Sequence, residues 1–64
     1  MKKEIAKILQ QRDGISENAA WNLIEECQRE INYLIDDHGT LEEIEIAIQD
    51  YLGLEPDYLF DFIG

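Results

Sequence analysis

Asp36, Asp37 and His38 are consecutive, and each is a metal ligand by type. Helical neighbours point about 100° apart, so the three do not converge on one ion while they remain helical. The alternating Asp/Asn pattern of a calcium loop, with its glycine and closing Glu, is absent. His38 suits a different task, complementing the negative end of a helix. Cys27 is the single cysteine, so no internal disulfide forms, which fits a reducing, cytoplasmic setting. It falls in the middle of an apolar stripe, where a thiol acts as a small hydrophobe with a raised pKa, and no His or base is spaced to activate it. Carboxylates are plentiful, but acid–base catalysis needs a water-excluding cleft that drives two pKa values apart. The four glycines are isolated, so no phosphate-cradling loop is formed, and no Ser/His/Asp set has a credible scaffold. The expectation is a protein without catalytic, metal-binding or cofactor-binding residues.

Charge is the stronger signal. The chain carries 15 acids against 5 bases, a formal net charge of -10. Residues 1–29 hold Lys2, Lys3, Lys7, Arg12 and Arg29 against Glu4, Asp13, Glu17, Glu25 and Glu26, and sum to zero. Residues 30–64 hold Glu30, Asp36, Asp37, Glu42, Glu43, Glu45, Asp50, Glu55, Asp57 and Asp61, with no Lys or Arg, so the whole of the -10 lies there. Direct nucleic-acid binding is excluded, since phosphate neutralisation needs bases that are mostly missing. For the same reason a helix-turn-helix regulator is disfavoured, because no helix carries a cluster of bases. A partner protein with a basic surface is the complement of such an asymmetry. A passive reading stands beside it: acids aid solubility, and those near helix starts, such as Glu42, Glu43 and Asp57, complement the helix dipole.

The elements that position these groups follow from the punctuation. Gly14, Gly39 and Gly53 each follow a stretch of helical periodicity and suit the left-handed position just past a helix end. Ser16 is placed to cap a second helix, Thr40 with Glu43 forms a capping box, and Pro56 suits the first position of a last one. Helices are therefore predicted near 2–13, 17–38, 41–52 and 56–63. The fold class is all-α: a small bundle of three helices plus a short C-terminal helix, with the long second helix central, in one domain over 1–64.

The predicted apolar stripes are Ile5, Ile8 and Leu9, extended by Met1, in the first helix. The second offers Ala20, Leu23, Ile24, Cys27, Ile31, Leu34 and Ile35. The third offers Leu41, Ile44, Ala47, Ile48, Tyr51 and Leu52, and the last Leu59, Phe62 and Ile63 with Tyr58 and Phe60 at its edges. Trp21 is expected half-buried over the first helix, and Tyr33 on the polar side of the second. No run approaches the roughly 18–20 apolar residues of a membrane span. Glu4 follows Met1-Lys2-Lys3 with no apolar segment behind it, so no signal peptide is expected.

On the third helix Glu42, Glu43, Ile46, Gln49 and Asp50 share the side opposite the core, with Ile46 in its middle. An apolar centre with a polar rim has the composition of a protein interface, although a single exposed isoleucine is also commonplace. The predicted partner-binding residues are Asp36, Asp37, Glu42, Glu43, Glu45, Ile46, Gln49, Asp50, Asp57 and Asp61.

Residues 53–63 read GLEPDYLFDFI. This stretch resembles the ending of small acidic proteins of bacterial phages and other mobile elements. That resemblance implies a setting rich in small inhibitors of host-defence proteins and host enzymes, some of which imitate DNA by presenting carboxylates where phosphates would lie. The function expected is an acidic inhibitor or modulator of a nucleic-acid-processing or host-defence protein. The competing expectation is a structural or adaptor module that homodimerises through apolar helix faces, its acids passive.

Overall fold

The computed structural model describes residues 2–63 and is all-helical among them: α1 Lys2–Asp13, α2 Glu17–Asp36, α3 Leu41–Leu52, a 3₁₀ turn Pro56–Leu59, and α4 Phe60–Ile63. Met1, assigned above to the stripe of the first helix, lies outside the described residues.

The boundaries are made by local chemistry. Gly14 takes φ +64° and its N–H donates to the Gln10 carbonyl, closing α1. The Ser16 hydroxyl then accepts from the Ala19 N–H at 3.1 Å and opens α2. Thr40 and Glu43 form the reciprocal box at the start of α3: Glu43 N–H donates to Thr40 Oγ1 at 3.2 Å, and Thr40 N–H to Glu43 Oε1 at 3.4 Å. Gly53, at φ +64°, ends α3.

Two boundaries differ from expectation. α2 stops at Asp36 rather than 38, and its left-handed residue is His38 (φ 58°), not Gly39. The Gly39 N–H donates to the Leu34 carbonyl and the His38 N–H to that of Ile35, the paired bonds of a Schellman cap. Gly39 is required for closeness instead: a Cβ there would lie 2.7 Å from the Leu34 carbonyl oxygen. The last element is not one helix over 56–63. Pro56 starts a 3₁₀ turn, and only Phe60–Ile63 is α-helical.

α2 is the spine, 20 residues and so about 30 Å at a rise of roughly 1.5 Å per residue, which sets the longest dimension of 34 Å. α1 and α3 both pack on it. The core is Ile5, Ala6 and Leu9 of α1; Ala20, Ile24, Cys27 and Ile31 of α2; Ile44, Ala47, Ile48 and Leu52 of α3; and Leu54, Leu59 and Phe62 of the C-terminal segment. Gln28 Nε2 donates to the Phe62 carbonyl at 3.1 Å, and Lys2 Nζ lies 5.6 Å from the centre of the Phe62 ring, so α4 is held against both α2 and α1.

The core stripes are shorter than the periodicity implies. α1 has 12 residues against the 20 of α2, and Lys2 at its start lies beside Gln28 and Arg29. The last turns of α2 run on past it. Ile35 has no α1 residue to meet and is exposed. Leu41, at the first position of α3, is 59% exposed for the corresponding reason at the same corner. Tyr51 is also exposed, and Phe60 is 72% exposed. Ile8, Leu23, Leu34, Tyr58 and Ile63 are half-buried around the core, as is Trp21, which borders α1 at Lys3, Ala6 and Lys7.

Candidate protein-binding surface

α2 and α3 run antiparallel. The turn between them is short, and Cys27 Sγ lies 4.0 Å from the Ala47 carbonyl oxygen. Their core sides close on each other, and their outer edges leave a shallow groove. Its wider part, about 390 Å³, is lined by Glu26, Arg29, Glu30 and Tyr33 of α2 and Tyr51 of α3. Its continuation, about 240 Å³, is lined by Glu30 and Leu34 of α2 and Glu43, Ile46, Ala47, Asp50 and Tyr51 of α3. Glu30 and Tyr51 belong to both parts.

Apolar side chains lie open in this groove. Tyr33 is 62% exposed and Ile46 48%, with Leu34 half-buried beside them. Glu26 and Glu30 stand on the α2 wall, Glu43 and Asp50 on the α3 wall, and Arg29 is the one base of the lining. The carboxylates edge an apolar floor in which two tyrosines offer large rigid surfaces, the side-chain type enriched where proteins dock.

The predicted partner-binding residues divide into three groups. Glu43, Ile46 and Asp50 come together in the groove. Glu42 and Gln49 are exposed along the neighbouring flank of α3, where Glu45 is half-buried. Asp36 and Asp37 stand exposed at the α2–α3 corner, whereas Asp57 and the half-buried Asp61 lie beyond Gly53, past the other end of α3. The ten residues therefore do not form one continuous face. The acids of the second half point to a groove and to two separate ends.

The predicted partner-binding residues omit most of the groove's lining. Tyr51 reads as core because it falls on the α3 stripe, yet it is exposed at the edge of α3 that lines the groove. Glu26, Glu30, Tyr33 and Leu34 recur at spacings of four, three and one along a single edge of α2, a signal visible only once α3 is known to lie on that edge.

Cys27 lies beneath the groove, fully buried. Burial pushes its thiol up to about 11, and the nearby Glu30 carboxylate adds to the shift. At neutral pH it is a protonated packing group. No cluster of three or more His, Cys, Asp or Glu side chains among the described residues is arranged to hold a metal ion.

The chain matches no family model, no curated protein and no solved structure.

Proposed function

We propose that this protein is an acidic protein-binding inhibitor or modulator whose target presents a basic, nucleic-acid-binding surface. The observation that carries it is the groove between α2 and α3, in which exposed Ile46, Tyr33 and Tyr51 are edged by Glu26, Glu30, Glu43 and Asp50. Carboxylates on both walls attract Lys and Arg, and the apolar floor adds contact that water does not screen. A nucleic-acid-processing or host-defence protein supplies such a basic surface, and occupying it would displace the nucleic acid. The resemblance of residues 53–63 to endings of phage and mobile-element proteins supports a bacterial setting for that activity.

Affinity capture from bacterial lysate at low and high salt, followed by a nucleic-acid competition, tests this function. Retained proteins should be basic nucleic-acid binders that are released both by salt and by added DNA. Retention that ignores salt and DNA contradicts it.

Homodimerisation has one observation in its favour, Phe60 standing 72% exposed on α4. A net charge of -10 on 64 residues opposes it, because two copies repel before their apolar faces meet. Sedimentation across a concentration series separates the two, and a dimer abolished by Phe60→Asp would establish the second.

A further inference from the structure

The groove has a length and a chemistry that select the shape of its occupant. On α2 its lining runs from Glu26 to Leu34 and on α3 from Glu43 to Tyr51. Each wall is about 12 Å long at a rise of roughly 1.5 Å per residue, a little over two helical turns. Both walls are helices, whose backbone N–H and C=O groups are already paired within the helix. An extended peptide would therefore find no strand edge to join and would leave its own backbone unpaired against an apolar floor. A helix satisfies its own backbone and packs side-chain ridges into the trough between two others.

We propose that this groove seats an amphipathic helix of a partner protein, about two turns long, with apolar residues at i, i+3 or i+4, and i+7 packed on Tyr33, Ile46 and Tyr51. Lys or Arg on both sides of that stripe face Glu26 and Glu30 on one wall and Glu43 and Asp50 on the other. The inference rests on the acidic protein-binding function above and specifies which element of the target is held. Charge complementarity selects this occupant over a second copy of the chain. The exposed corner of a second molecule, Ile35 with Asp36 and Asp37, would bring carboxylates against carboxylates.

The probe is a synthetic peptide with Leu at i, i+3, i+4 and i+7 and Lys at the remaining positions. Its control has the same composition, scrambled so that the leucines share no face. The amphipathic peptide should bind the wild-type protein at least about tenfold more tightly than the scrambled one, gain helicity on binding, and lose at least about tenfold on Ile46→Asp. NMR shift changes on the wild-type protein should centre on Tyr33, Ile46 and Tyr51, which keeps the test decisive if the variant folds poorly. Equal binding of both peptides without helix formation, or shifts centred on Trp21, would overturn the helix-in-groove inference and leave the acidic function standing. Failure of both peptides to bind even at low salt would overturn both.

Discussion

The Arg12 guanidinium joins two helix ends that are 41 residues apart in sequence: Nη1 donates to the Gly53 carbonyl at 3.0 Å and Nη2 to the Leu52 carbonyl at 2.7 Å. Both carbonyls belong to the C-terminus of α3, where the helix leaves acceptors unpaired and where no other base lies nearby in sequence. Asp13 holds the same guanidinium through two further bonds, at 2.9 Å and 2.8 Å, and is itself held below the usual carboxylate range by them. One of the chain's five bases is thus spent on locking α1 to α3 rather than on balancing surface charge. Arg12→Ala should cost about 1–2 kcal/mol in urea unfolding, since charge-assisted bonds are lost at a site that is partly exposed. Arg12→Lys should recover only part of it, because an ammonium cannot serve two carbonyls and a carboxylate in one plane.

The corner between α2 and α3 should respond in opposite directions at adjacent residues. His38→Gly relieves a side chain from the left-handed region and should stabilise by about 0.5–1 kcal/mol. Gly39→Ala forces a Cβ onto the Leu34 carbonyl and should destabilise, visible as a lower thermal midpoint.

That corner also shows which parts of the fold could be read from sequence. Ser16, the Thr40/Glu43 pair, Gly14, Gly53 and Pro56 act within a few residues of themselves, so the helix boundaries they make were legible. Gly39 was assigned the wrong task because a Schellman cap places its glycine requirement by contact with Leu34, not only by φ. Ile35, Leu41 and Tyr51 were assigned to the core because periodicity states which way a side chain points and not whether a neighbour extends that far. The site was half legible for the same reason. Glu43, Ile46 and Asp50 share one helix side and were found together, whereas Tyr51 and the α2 wall depend on packing between helices. Arg12 gave no local signal at all.

Burial of Cys27 makes stability fall at alkaline pH. Well below pH 9 the thiol is protonated in both the folded and the unfolded chain and contributes no pH dependence. Between 9 and about 11 the unfolded chain releases the proton that the folded one retains, so stability decreases as pH rises. The loss reaches about 2 kcal/mol at the upper end, from 1.36 kcal/mol per unit of displacement. Comparing wild type with Cys27→Ala across that window isolates the effect from tyrosine and lysine titration: the stability difference between them should narrow as pH rises. Alkylation of Cys27 at neutral pH should require unfolding.

Neighbouring isoleucines of α3 should separate folding from binding. Ile44 is buried, and Ile44→Ala should cost about 2–4 kcal/mol of stability. Ile46→Ala removes an exposed side chain and should change stability by less than about 0.5 kcal/mol, while weakening any ligand seated in the groove. Chemical denaturation of the two variants checks the first half, and titration of the amphipathic lysine–leucine peptide checks the second.

The acidic walls are tested most directly by titrating that peptide into wild type and into the Glu30→Gln/Glu43→Gln/Asp50→Asn variant over a series of salt concentrations. Wild-type affinity should fall steadily with salt, and the neutralised protein should bind at least about tenfold more weakly at low salt with a visibly flatter dependence. Equal affinity and an equal salt slope for the two proteins would contradict a role for these carboxylates in recognition.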